Sequence, residues 1–297
     1  MAFDRILGQE QPKKILKNAL QSRNIAHAYL FHGQESIGKK QIAIELAKSL
    51  NCVSPVKGDA CDGCISCRKI ENRTHPDFFF IEPTKNTPTA REAVIKIEVI
   101  RELQRKLAFH PYEGNVKVAI IDNADLMNLQ AANSFLKTLE EPPLATILIL
   151  ISSNPFKLLP TLISRCQTIQ FQPLTQENIK KILKEIMTEE KIENDTLAFR
   201  ALRSRGSVKK ALAEDIENTA NIRKEIVNLL ETISFDRMDV VFSQAKSWAS
   251  QSDQWEIILN ELMELVRDLA FFQSGCSESE VYNRDIAKRL KLLATRK

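Results

Sequence analysis

The densest concentration of reactive side chains in this sequence is a run of four cysteines, Cys52, Cys61, Cys64 and Cys67, in "NCVSPVKGDACDGCISCRKI". Their spacing is C-x8-C-x2-C-x2-C, and thiolates two residues apart on a tight turn can both reach one tetrahedral ion at about 2.3 Å. Gly58 and Gly63 relax the turns between them. A chance cluster of buried thiols would sit in an apolar segment, whereas Asp59, Asp62, Ser66 and Arg68 make this one polar. Structural zinc is the expectation. Four sulfurs close the coordination shell, so the metal is expected to pin a loop and not to activate water. Cys166 and Cys276 lie far away and read as ordinary residues.

A second constellation is "HGQESIGKKQIAIELAKSL", in which Gly33, Gly38 and Lys39 occupy the places required by the phosphate-loop pattern G-x-x-x-x-G-K-[ST]. Position 40 is Lys where the pattern has a hydroxyl. Downstream, "VKVAIIDNADLM" is an apolar run ending in Asp122, the form of the acidic strand that supports Mg²⁺ in nucleotide hydrolases. Asn123 stands where a water-activating glutamate commonly follows. An ammonium at 40 competes with the metal, while backbone N–H groups and Lys39 can still hold a phosphate. The residues therefore leave phosphate binding open and remove the groups needed for turnover.

The elements that must position these groups follow from periodicity. Apolar or mixed runs at Ala28–Phe31, Phe78–Ile81, Val116–Ile121, Thr146–Ser152 and Thr168–Phe171 read as strands. Helix-length segments separate them, among them "LQAANSFLKTLEE" and a stretch with Ile42, Leu46, Ala47 and Leu50 on one face. That alternation predicts a parallel α/β sheet. After "QPLTQENI" the strands cease. Ile179, Ile182, Leu183 and Ile186 make a helical face behind a Thr175 N-cap, and Gly206 ends a second helix. Beyond about residue 215, "IRKEIVNLLETI" and "WEIILNELMELVRDLAFF" predict an all-helical tail in which Trp255, Met263, Phe271 and Phe272 are core residues.

Composition is that of a soluble globular chain: 297 residues, 43% apolar, 27% charged, net charge +4 from 42 basic and 38 acidic residues. No membrane-span-length apolar run and no signal pattern in "MAFDRILGQEQ" are present, so the expected location is cytoplasmic, where thiols stay reduced. The mild charge permits nucleic-acid contact without arguing for it. The cysteine knot lacks the basic and aromatic surround of a zinc-dependent nucleic-acid module. His27, His32, His75 and His110 lack metal-site spacing and read as surface or core histidines.

Taken in order, "AHAYLFHGQESIGKK", the four-cysteine knot, "HPDFFFIEP", "KVAIIDNADLMNLQAANSFLKTLEEPP" and "LLPTLISRCQTIQF" resemble the clamp-loader branch of the AAA+ ATPases, and within it the delta-prime, or stator, group of the bacterial DNA polymerase III clamp loader. The matches run from about Phe3 to about Leu212. Lys40 and Asn123 depart from the gamma/tau motor group, which shares the knot but keeps an intact phosphate loop; an active ATPase of that type is the alternative. The resemblance implies three domains: residues 1–172, a nucleotide-binding-like domain with the zinc insertion; 173–214, a helical lid; and 215–297, a helical collar. It implies a degenerate nucleotide site at Gly33, Gly38, Lys39 and Asp122, no intrinsic ATPase, and membership of a DNA-directed DNA polymerase holoenzyme. The implied partners are gamma/tau and delta subunits, with sliding clamp and primed DNA met through the assembly. An isolated arginine such as Arg165 reads as a structural salt-bridge residue. The resemblance instead makes Arg165, between Ser164 and Cys166, a finger offered to the γ-phosphate of a neighbour's ATP. Asn154 and Lys209 match weaker positions and are not expected to be catalytic.

Overall fold

A computed structural model describes residues 3–56, 58–85, 93–187, 194–213, 216–232, 238–250, 254–277, 281–283 and 286–295. It divides into two compact units, 1–191 with 205–209, and 192–204 with 210–297.

The first unit is built on one five-stranded parallel sheet: β1 (Ala28–His32), β2 (Phe78–Ile81), β5 (Lys117–Ile121), β6 (Thr146–Ser152) and β7 (Gln167–Gln170), in the order β2-β5-β6-β1-β7. The expected strands are all present, each within a residue of its expected bounds. β5 and β6 are buried along their whole length, as central strands covered on both faces must be. A two-residue ladder joins β3 (Thr84–Lys85) to β4 (Ala93–Val94). The helices of this unit are α1 (Glu10–Ser22), α2 (Lys39–Asn51), α3 (Ile65–Glu71), α4 (Ile97–Leu107), α5 (Leu129–Glu140), α6 (Pro160–Ile163) and α7 (Gln176–Ile186). Ile100, Leu103 and Leu107 of α4 and Phe135 and Leu139 of α5 pack against Ala119, Leu148 and Leu30 of the sheet. Thr175 caps α7 by accepting a 3.2 Å bond from the Asn178 N–H.

The second unit is helical: α8 (Asn194–Arg203), most of α9 (Val208–Ala213), α10 (Ile216–Thr232), α11 (Met238–Ala249), α12 (Trp255–Gln273) and α13 (Ala287–Ala294). α8 stops three residues before Gly206, whose φ of 82° and close approach to the Leu174 backbone exclude a side chain. The core of this unit gathers Ile222, Ile226, Val227, Ile258, Leu265 and Leu290. A parallel α/β unit followed by an all-helical one is the expected fold class. None of the helices among the described residues is long and apolar enough to cross a membrane.

Two core assignments fail in α12. Met263 is 60% and Trp255 43% exposed, and Phe271 and Phe272 are only half-buried. Beside the core residues Ile258 and Leu265, the inner face of α12 also buries Glu261, Glu264 and Asp268. Arg203 pairs with both glutamates, and Asp268 accepts the N–H groups of Tyr282 at 3.1 Å and Asn283 at 2.9 Å. Buried carboxylates with such partners can occupy core positions, which leaves apolar residues outside.

Candidate functional site

α2 joins the two constellations, the phosphate-type loop at its N-terminus and the cysteine knot at its C-terminus. The loop starts where β1 ends. Gly33 has φ 142°, and a Cβ there would lie 2.5 Å from the Phe171 carbonyl oxygen, so only glycine fits. Gly38, φ 101°, turns the chain into α2. From outside, Gln9 holds the loop: its Nε2 donates to the carbonyls of Ile37 at 3.0 Å and Gln172 at 2.5 Å, and its Oε1 accepts from Gln172 N–H at 3.1 Å.

Both lysines of the motif are engaged by the chain itself. The buried Lys39 ammonium donates to the carbonyls of Gly33 and Gln34, each at 2.5 Å. Burial lowers its pKa to about 8, with Asp122, Asp125 and Glu35 pulling the other way. Lys40 Nζ lies 2.5 Å from Glu82 Oε1 and 3.4 Å from Asp122 Oδ2, and 4.7 Å from the centroid of the Phe80 ring. Glu82 also holds Arg73 at 2.9 Å, and hydrogen bonds from these two cations keep its carboxyl below the usual range.

Glu82 was not evident from sequence, although a signal existed. β2 and β5 pair with Ile81 opposite Ile121, so the residues that follow, Glu82 and Asp122, leave adjacent strands side by side. Asn123 sits at φ 50° and donates its N–H to Asp122 Oδ1 at 3.0 Å. Lys209 pairs with loop residue Glu35 at 2.9 Å, both exposed, and Asn154 is exposed just beyond β6.

The four cysteines converge. Cys52 follows α2 directly, Cys64 caps α3, and all four Sγ atoms lie within 4.8 Å of one another, with Cys52 and Cys64 sulfurs 4.0 Å apart. Tetrahedral coordination at about 2.3 Å requires sulfurs about 3.8 Å apart, so the set fits one zinc ion. Backbone N–H groups of Cys61, Cys64 and Cys67 point at the sulfurs of Cys52, Cys61 and Cys64, at 3.3–3.4 Å. Against the pull of burial, the N–H groups of Cys67 and Val53 and the neighbouring thiols hold Cys64 down at about 6. Burial pushes Cys52 and Cys67 up. A bound zinc would supply a cross-link between the end of α2 and the start of α3. The knot is moored by Asp59, whose carboxylate accepts from Phe3 N–H at 3.3 Å and Ala60 N–H at 2.9 Å.

Arg165 lies between α6 and β7, apart from both constellations. Its guanidinium pairs with Glu140 at the end of α5, Nη2 to Oε1 2.6 Å, and donates from Nη1 to the Thr161 carbonyl at 3.0 Å. This is the salt bridge anticipated for an isolated arginine, and the side chain remains about one-third exposed, at 35%. Cys166 packs against the sheet core, where burial pushes its thiol up to about 12. His75 is buried and accepts the Asp77 N–H at 3.1 Å, in keeping with a core histidine.

Comparison with known proteins matches residues 8–175 to the family described as DNA polymerase III, delta subunit. The chain is 32% identical over 295 residues to DNA polymerase III subunit delta' of Bacillus subtilis, covering 96% of this chain and 84% of that one. It is 40% identical over 141 residues to the subunit delta' of Pseudomonas aeruginosa, covering 48% of this chain and 42% of the relative. With the tau subunit of Salmonella typhimurium it shares 30% identity over 290 residues, 91% of this chain but 44% of the longer relative.

Proposed function

The chain belongs to the delta-prime family of DNA polymerase III subunits, and from that premise we propose that it is the stator of a clamp loader in DNA replication. In this reading its own nucleotide site, Gly33, Gly38, Lys39 and Asp122, turns nothing over, and Arg165 acts in trans on a neighbour's ATP. Residues 1–172, 173–214 and 215–297 form the nucleotide-binding-like, lid and collar domains of a cytoplasmic protein. Gamma/tau and delta subunits are its partners, and it meets the sliding clamp and primed DNA through the assembled ring.

The observation that carries the reading is the position of Lys40. Its ammonium lies 3.4 Å from Asp122, the carboxylate that would otherwise support Mg²⁺, and hydrogen-bonds Glu82 beside it. A fixed cation there excludes a divalent ion by repulsion and by taking its ligands. Asn123 adds a second deficit, since an amide cannot act as a base toward water. Arg165 supports the trans role: its one-third exposure leaves donors for a γ-phosphate, and its planar fork matches two phosphate oxygens.

The alternative is an active ATPase of the gamma/tau type, favoured by the tau relative matching 91% of this chain. Steady-state ATP hydrolysis by the isolated chain with primed DNA separates the two: background turnover is expected, and robust turnover overturns the stator reading. In a ring reconstituted with motor and delta subunits, Arg165→Ala is expected to leave assembly intact and slow the one site it serves by about 10³–10⁵. Total ATPase then falls partially, clamp loading falls, and Arg165→Lys rescues poorly. Normal rates in a correctly assembled Arg165→Ala ring would return Arg165 to its salt bridge with Glu140.

A further inference from the structure

Residues 3–9 touch what lies at both ends of α2. At the knot end, the short 3-10 turn Phe3–Arg5 hangs on the cysteine loop: the fully buried Phe3 donates its N–H to Asp59 Oδ2 at 3.3 Å, and Arg5 Nη1 lies 3.2 Å from Asp62 Oδ2. At the other end, Ile6 lies over Gly38, its Cγ2 3.7 Å from where a Cβ on that glycine would sit, and the Gln9 amide bonds Ile37 and Gln172. Lys13 holds the middle of the segment by donating to the Ile6 carbonyl at 3.0 Å.

Asp59 and Asp62 owe their places to the knot. Among the described residues, the core of the cysteine loop is Cys52, Ala60 and Cys67, with Cys61 and Cys64 packed against it, so the side chains that hold the loop together are mostly the metal ligands themselves. The ties from the two aspartates to α2 are long, 3.4 Å from Ser49 Oγ to Asp59 and 3.3 Å from Lys48 Nζ to Asp62. Four thiolates without a cation between them repel, and the loop that carries both aspartates opens. α2 does not relay this opening, because Ile42, Ala43, Leu46 and Ala47 are fully buried and keep the helix seated.

We infer that residues 3–9 are a strap through which metal in the knot sets the order of the phosphate-type loop at the opposite end of α2. With the knot closed, Asp59 and Asp62 fix Phe3 and Arg5, and the tethered segment holds Ile6 and Gln9 against residues 33–38. With the knot open, the strap loses its first anchor and frays from its N-terminal end toward Ile6. The inference goes beyond the stator reading and does not depend on it, since loop order is a property of the single chain; it depends on the zinc assignment.

The test is hydrogen exchange of the full-length chain, zinc-loaded and then stripped with chelator under reducing conditions, followed in segments 3–9, 33–42, 53–67 and 117–121. The amides of Gly33 and Ile42 are hydrogen-bonded to Ser152 and Gly38, which gives the loop segment protection to lose. Stripping is expected to quicken exchange in 53–67, 3–9 and 33–42, the last by at least about 5-fold, the lower end of ordinary coupling between sites, and to leave β5 unchanged. Gln9→Met removes the amide at the loop end while keeping the length of the side chain. It is expected to retain zinc and to exchange quickly in 33–42 whether loaded or stripped. Arg5→Ala, at an exposed position, is expected to reduce the zinc response of 33–42 without changing the melt. Unchanged exchange in 33–42 after stripping, in a sample whose 53–67 segment has opened, overturns the inference. A full zinc response retained in both variants overturns it as well, because the coupling would then run through another route. Faster exchange in β5 on stripping overturns it too, since the metal would then support the whole sheet. A wild-type chain that takes up no zinc sinks the zinc assignment itself, a result separate from a loaded knot that leaves the loop indifferent.

Discussion

The two ends of α2 differ in what they still require from outside. At the C-terminal end, four sulfurs lie within 4.8 Å of one another, those of Cys52, Cys61 and Cys64 accept N–H bonds at 3.3–3.4 Å, and as thiolates the four would repel one another. Such a set of sulfurs is completed by a metal cation held among them. At the N-terminal end the opposite holds. Lys39 is engaged by the loop's own carbonyls and Lys40 by Glu82 and Asp122, so both lysines of the motif and the carboxylate that would orient a metal already have partners. A constellation of the right residue types becomes a binding site only when the fold leaves its demand unmet, and here one loop retains that demand while the other has satisfied it internally.

The largest break of this comparison comes from the knot. Purified under reducing, chelator-free conditions, the chain is expected to hold one zinc, and Cys64→Ser to hold none by elemental analysis. Structural zinc contributes about 10–16 kcal/mol in peptides that fold only around the metal. Here the sheet core lies apart from the knot, so the variant is expected to keep a cooperative melt. A wild-type stoichiometry near zero would remove the zinc assignment, and global unfolding of the variant would show that the metal supports more than its loop.

A smaller effect separates the charge states of the loop. Burial depresses the folded-state pKa of Lys39 to about 8 from an ordinary 10.5. Its protonated form therefore opposes folding at full strength below about pH 8, and the penalty is relieved as pH rises from about 8 toward 10.5. Denaturant unfolding of wild type and Lys39→Met at pH 7 and pH 9.5 is expected to show the wild type gaining relative to the variant at the higher pH. Any inorganic phosphate affinity should move the other way, declining above about pH 8 as the ammonium is lost. A pH-independent stability difference would mean that Lys39 is not desolvated.

The smallest expected change is in turnover by Lys40→Thr. Removing the ammonium frees Asp122 and leaves Glu82 with Arg73 alone, so a Mg²⁺ titration is expected to gain a binding event that the wild type lacks. Asn123 still cannot orient water, and ATP hydrolysis is expected to remain at background. Turnover appearing on this single substitution would show that the loop was one residue from function.

Sequence made the local parts of this picture legible and missed the parts that depend on distant neighbours. The strands follow from apolar runs, the Thr175 cap from its place before a helical face, and the knot from cysteine spacing alone. Glu82 was hidden because its meeting with Lys40 depends on strand register, which no local pattern around residue 82 encodes. Trp255 and Met263 were misassigned for a related reason. α12 has apolar residues on both faces, and periodicity reveals a stripe without saying which one faces the core. The decision was made by Arg203 on another helix, whose ion pairs let Glu261 and Glu264 go inside.

Gln9 has a consequence in time. Its amide joins the ninth residue to Ile37 and to Gln172, a partner 163 positions further along the chain. At about 5–20 residues per second, roughly 8–33 s of synthesis separate the emergence of the two. Until Gln172 leaves the ribosome, the loop of residues 33–38 lacks the strand exit against which Gln9 fixes it. β1 meanwhile waits for both of its parallel neighbours, β6 and β7. The zinc knot, closed within sixteen residues, faces no such delay. The nascent chain can thus complete its metal-binding end while the other end of the same helix is still waiting for its last strand.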